Sequence, residues 1–256
     1  MKREMPVPVP ARADVVSNAV GIALNGGVTL CGAVWLALHF GAVRPPWYAL
    51  ALAVLVALFL ADFVSGLLHW AFDTWFSEET PRLRRVVLVV REHHVYPQHI
   101  FRYVFRDEAG TVAWPSLAYT IPVIGGLALF GGGATVPGYC AVLVAVFVSG
   151  LTMCMLQFHK LGHRKSESPV VRALQNAGLL MGPRHHGRHH SGNHDVKYCL
   201  INGWADHVMD AIGFWRGTER LIHALTGAAP RRNDVVWMND YRNDYYRKLE
   251  QHAKDR

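Results

Sequence analysis

Cysteine is scarce: of four in 256 residues, Cys31, Cys140 and Cys154 fall inside apolar runs and only Cys199 stands outside them. No CxxC pair occurs, which excludes a thiolate zinc knot and a redox dithiol. No G-x-G-x-x-G fingerprint and no C-x-x-C-H segment are present, so the chain carries neither a dinucleotide-binding turn nor an attached c-type haem. A nucleophile elbow is also missing. Charge is absent over long stretches: the blocks 19–40, 47–68, 111–130 and 137–158 contain one ionised side chain among them, Asp62.

Those four blocks are what the sequence has in place of alternating patterns. At about 1.5 Å per residue, a helix of that length reaches roughly 30 Å, the thickness of a bilayer's hydrocarbon core. A soluble chain of 256 residues could not cover four helices that are apolar all round. The expectation is an all-α integral membrane protein with about four transmembrane helices. Pro115 and Pro122 make the third block a kinked or shallow span. Lys2 and Arg3 precede the first block as they would a signal peptide. That block is longer than a signal core and no small-residue cleavage site follows, so it reads as a span.

Basic residues orient the spans. The connections 41–46 and 131–136 hold one arginine, Arg44, whereas the N-terminus, the 71–110 loop and the chain after His159 are rich in Lys and Arg. The positive-inside rule puts those three on the cytoplasmic side, as an even number of spans requires. Expected organisation is an N-terminal cytosolic segment (1–18), a membrane domain (19–232) with a cytosolic helical cap from 71–110 and 159–232, and a C-terminal tail (233–256). Basicity of +7 reads as attraction to anionic lipid headgroups, and no nucleic-acid recognition motif accompanies it.

Histidine is abundant, 15 in all, and gathers at the expected cytoplasmic boundary. His69 and Asp73 (HWAFD) end the second block, and His159 and His163 (HKLGH) end the fourth. Each pair is four apart, so its members share a helix face and can converge on one ion. REHH supplies His93 and His94, and GPRHHGRHHSGNHD supplies His185, His186, His189, His190 and His194. Pro183 suits the first position of a helix over about 184–191, and Gly192 suits its end. His39, His223 and His252 read as amphipathic side chains at the interface, and His99 and His207 as non-ligands.

Packed imidazoles cannot all be protonated, and burying them without partners is costly, so the cluster calls for cations. A tetrahedral ion takes about three or four protein ligands. Eleven candidates therefore imply two ions with some supporting histidines. Imidazole suits zinc, copper, iron and nickel alike. Beside the lipid boundary, zinc would fit ester hydrolysis, and iron would fit oxygen-dependent attack on C–H bonds.

Taken in order, GLLHWAFDTW, REHHVYP, QFHKLGH, PRHHGRHHSGNHD, YCLINGW and GFWR resemble the Kua family of membrane lipid desaturases, whose best-known members are plasmanylethanolamine desaturases. The resemblance runs over about 63–232. It implies a di-iron oxidoreductase that uses O₂ to turn the alkyl ether chain of plasmanylethanolamine into a vinyl ether, giving a plasmalogen. It assigns metal binding to His69, Asp73, His93, His94, His159, His163, His185, His186, His189, His190 and His194. It also implies an external electron donor, cytochrome b5-like or a ferredoxin, since the chain has no redox cofactor motif of its own. Arg184 and Arg188 are candidate contacts for that donor or for lipid phosphate. The expected location is a bacterial inner membrane with both termini cytoplasmic. Rival readings are a fatty-acyl desaturase acting on phosphatidylglycerol, as in plant members of the family, a lipid hydroxylase, and a metal-binding scaffold without catalysis.

Overall fold

The computed structural model describes residues 12–81, 83–129, 134–164 and 168–254. Residues 1–11 of the expected N-terminal segment, Phe130 at the end of the third block and the His252 side chain lie outside that set. Every described element is helical, and no strand occurs among the described residues.

Among the described residues, three helices are long and apolar enough to cross a membrane: α1 (Arg12–Val43), α2 (Trp47–Thr74) and α6 (Val136–Met153). Each carries apolar side chains on its exposed face, such as Leu30 and Leu38 on α1 and Leu52 and Leu55 on α2. Hydrocarbon in place of water makes that exposure favourable, and the helices satisfy their own backbone polar groups. α1 begins well before residue 19, so part of the segment expected to precede the first span is already helical.

The third apolar block is broken. It forms α4 (Phe105–Thr120), a π turn (Ile121–Gly125) and α5 (Gly126–Leu129). The π turn contains Pro122, which lacks an N–H and whose ring displaces the carbonyl one turn earlier, so the ladder widens locally. α1 packs along α4 and α6, and α2 along α6. Small residues permit the α1–α4 approach: a Cβ at Gly110 would collide with Asn18, as one at Gly21 would with the Trp114 indole.

The remaining helices gather at one end of the bundle. They are α3 (Arg84–Val95), a short 3₁₀ turn (Pro97–Arg102), α7 (Met155–Gly162), α8 (Pro169–Asn176), α9 (Pro183–His189), α10 (Trp204–Ala211), α11 (Phe214–Thr226) and α12 (Asp234–Lys254). The chain bends between α6 and α7 at Cys154, whose N–H still bonds back to Gly150 and Leu151. α12, formed by the expected tail, lies against α3, with the Arg91 guanidinium 4.0 Å above the Trp237 ring.

Candidate metal centre

The last turns of α2 place Asp62, Ser65, His69 and Asp73 on one buried face, because steps of three and four residues return to the same side of a helix. His69 and Asp73 point into the cap, where α3 brings His94 and α9 brings His189. These four form one group. Oδ2 of Asp73 lies 3.3 Å from Nε2 of His69, 3.4 Å from that of His189 and 3.6 Å from that of His94. The His189 and His94 Nε2 atoms are 3.2 Å apart. Donors about 2.0–2.1 Å from a tetrahedrally held ion stand roughly 3.3–3.4 Å from each other, which is the spacing found here.

The outward nitrogen of each ring in this group is tied down. Nδ1 of His69 donates to the Tyr198 carbonyl at 2.8 Å, that of His189 to the Val196 carbonyl at 2.9 Å, and that of His94 to the Asp234 carboxylate at 2.7 Å. Such bonds fix the tautomer in which Nε2 keeps its lone pair for a metal. Both Asp73 oxygens and the His69 Nε2 are buried without a hydrogen-bond donor. A buried carboxylate in that condition is costly unless a cation meets it.

A second group comprises His93 from α3, His159 and His163 from and just after α7, and His186 and His190 from and just after α9. Nε2 of His186 stands 2.8 Å from that of His159 and 3.0 Å from those of His163 and His190. Nε2 atoms of His159 and His163 are also 3.0 Å apart. One ring nitrogen carries at most one proton, so this many contacts cannot all be N–H to lone-pair bonds. A cation among the lone pairs resolves the repulsion. Burial holds the imidazoles of His93, His94, His159 and His186 well below the ordinary histidine range and that of His163 down to about 4; apart from His163, neighbouring histidines within the group add to the effect. All five are therefore neutral and ready to ligate at physiological pH.

The groups adjoin. Ring centres of His93 and His94 are 4.5 Å apart, those of His69 and His159 5.2 Å, and those of His189 and His190 5.3 Å. Nine of the eleven candidates thus form two neighbouring donor sets, one of five imidazoles and one of three imidazoles with a carboxylate. Both sets suit a first-row transition ion.

The other two candidates belong to neither donor set. His194 stacks on the His94 ring at 4.3 Å with its Nε2 buried and unpartnered. His185 turns away, and its Nε2 lies 2.7 Å from Asp206. Arg184 and Arg188 are exposed on α9. His99 bonds to Glu92 at 2.8 Å and His207 is exposed, both outside the groups.

Three supporting carboxylates escaped the sequence reading. Asp234 opens the tail, where spacing gives no hint of a partner at His94; Arg91 at 2.9 Å and Arg231 hold it in place. Asp206 receives both His185 and the Cys199 N–H. Asp62 accepts the N–H groups of Ile201, Asn202, Gly203 and Ala205 at 2.9–3.1 Å. Its isolation in an apolar run was the available signal. Gly66 makes this docking possible, since a Cβ there would lie 2.6 Å from the Cys199 Sγ.

A lipid desaturase domain model matches residues 58–233, more than half of the chain and every histidine of the two groups. The chain belongs to the lipid desaturase family. That agrees with the resemblance carried by the histidine motifs. Among lipid desaturase relatives, the plasmanylethanolamine desaturase of Myxococcus xanthus is 35% identical over 190 residues, covering 74% of this chain and 66% of its own length. Mouse plasmanylethanolamine desaturase 1 is 32% identical, covering 73% of this chain and 69% of its own. The chloroplastic fatty acid desaturase 4 of Arabidopsis thaliana is 29% identical, covering 71% and 54%. No solved structure matches this chain. The family match stops one residue before Asp234.

Proposed function

We propose that this lipid desaturase introduces the vinyl-ether double bond at C1–C2 of the alkyl chain of plasmanylethanolamine. In the overall change the lipid loses two hydrogens and two electrons arrive from an external donor. One O₂ takes up these together with two protons and leaves as two waters. A pair of iron ions, when bound, supplies the means to reduce O₂ and to draw hydrogen from an unactivated C–H bond.

The observation that carries this reading is the pair of adjoining histidine groups at the ends of α2 and α6–α7. C1 and C2 of an ether-linked chain lie next to the glycerol, at the same boundary where the apolar runs of these helices end. His69, Asp73, His94 and His189 would hold one ion, and His93, His159, His163, His186 and His190 the other. The bonds from His69, His94 and His189 to Tyr198, Asp234 and Val196 keep those rings aimed inward. Seven of the nine donors are buried, which keeps bulk water from most of the site. Asp73 contributes the single negative charge among nine donors, so the first ion is held in a more electron-rich set than the second. Electrons come from a cytochrome b5-like protein or a ferredoxin, for which exposed Arg184 and Arg188 offer an acid-seeking surface. With the broken α4–α5 segment as a fourth crossing and the Lys- and Arg-rich segments inside, both termini face the cytoplasm of a bacterial inner membrane.

The names of the Arabidopsis relatives favour a second reading, desaturation of a fatty-acyl chain. One experiment separates the two. The chain is expressed in a bacterium that lacks plasmalogens, fed alkyl-glycerol precursors, and its lipids are analysed. Acid-labile vinyl ethers support the ether reaction. A new acyl double bond with no vinyl ether replaces it by the second reading, and no new unsaturation refutes both.

A further inference from the structure

The segment that follows the histidine motifs leaves the cap and enters the bundle. Ile201 is 1% exposed and packs on Ala57, Ala61 and Val148, residues well inside α2 and α6. Counted from Trp47 and Tyr48, exposed aromatic anchors at the far end of α2, Asp62 lies about 22 Å along the helix, short of the roughly 30 Å hydrocarbon thickness. Irregular backbone survives at such depth only when its polar groups are met by protein. Here they are: Asp62 takes the N–H groups of Ile201, Asn202, Gly203 and Ala205, and Ser65 Oγ takes that of Leu200 at 2.9 Å.

What comes next stays at that level. Phe214, at the start of α11, packs edge-on against Phe63 of α2 with ring centres 5.6 Å apart, and Trp215 lies 6.4 Å from the same ring. Phe63 is six residues deeper than His69, about 9 Å at helical rise. Around α11, Trp215, Glu219 and Ile222 face the protein, whereas Leu221 and Leu225 project outward, 58% and 75% exposed. Arg216, Arg220 and His223 occupy the opposite side. α10 exposes Val208, and Ile212 just past its end, on one side, although its own charged residues, Asp206 and Asp210, are acidic. Helices with one apolar exposed face and one basic face lie in the plane of a membrane surface.

We propose that residues 198–226 form a re-entrant unit embedded in the inner lipid leaflet: the loop is latched to Asp62, and α10 and α11 float in the monolayer with Val208, Ile212, Leu221 and Leu225 on acyl chains. The occupant of that apolar face is lipid, because the face adjoins Phe63 on a helix whose own exposed residues are already lipid-facing. This placement is independent of the chemistry proposed above and does not fail with it.

The test uses the wild-type chain in nanodiscs of phosphatidylethanolamine and phosphatidylglycerol, doped with a phospholipid bearing a diazirine on its acyl chain. Photolysis and peptide mapping should find adducts on 204–226 as well as on α2. Leu225→Cys should react at least about tenfold more slowly with a charged maleimide than Asp240→Cys on exposed α12, because hydrocarbon excludes the charged reagent and keeps the thiol un-ionised. Adducts confined to α1, α2 and α6 overturn the proposal, as do equal rates at the two cysteines. Slow labelling of Leu225→Cys without lipid adducts also overturns it, since protein rather than lipid would then cover the face.

Discussion

His94 and Asp234 are 140 positions apart and share a 2.7 Å hydrogen bond at the floor of the four-donor group. The carboxylate orients the imidazole and raises its basicity toward a metal. Asp234→Ala should lower metal affinity by about 10–100-fold, the usual effect of losing such a partner. Metal titration of the purified variant measures it. Affinity equal to wild type would remove Asp234 from the site.

Ligand and supporting histidines should separate cleanly. His190→Ala removes a donor from the five-imidazole group and should abolish product with loss of metal. His185→Ala removes only the bond to Asp206, so metal stoichiometry should stay at the wild-type value while thermal stability falls. Metal loss in His185→Ala equal to that in His190→Ala would contradict the assignment.

Asp62→Ala leaves four buried N–H groups without an acceptor. A buried donor left without its acceptor costs about 1–3 kcal/mol, so losing the acceptor of four should lower the melting temperature sharply. Asp62→Asn keeps one acceptor oxygen and should fall less. A melting temperature unchanged in Asp62→Ala would mean that the latch contributes nothing.

Acid should weaken the metal-free protein. The folded pKa of His163, about 4, lies below its ordinary 6.5, so between those values the unfolded chain binds more protons. Stability is therefore full above about pH 6.5 and declines as pH falls toward 4. Urea midpoints of metal-free protein across that window test the sign. Bound metal should steepen the decline and carry it below pH 4, because an occupied lone pair keeps the folded histidine unprotonated while the unfolded chain still takes up protons.

The spans and the donors were legible because each depends on local features. Apolar length marked α1, α2 and α6, and four-residue spacing put His69 with Asp73 and His159 with His163 on shared helix faces. The helix at 183–189 was readable from Pro183 and Gly192. How the donors divide was not readable. Neighbours in sequence, His93 and His94, serve different groups, as do His189 and His190, because adjacent helix positions point about 100° apart. His185 and His186 diverge for the same reason, one toward Asp206 and one into the five-imidazole group. Asp234 and the carbonyls of Val196 and Tyr198 act through tertiary contacts, for which local spacing carries no signal.

Metal content of protein purified without oxygen, with the two donor groups intact, bears most directly on the whole account. Two irons per chain, falling when His190 or His69 is replaced by alanine, is the expected result. One ion or none, or tightly held zinc that supports no O₂ consumption with lipid and reductant, would contradict it.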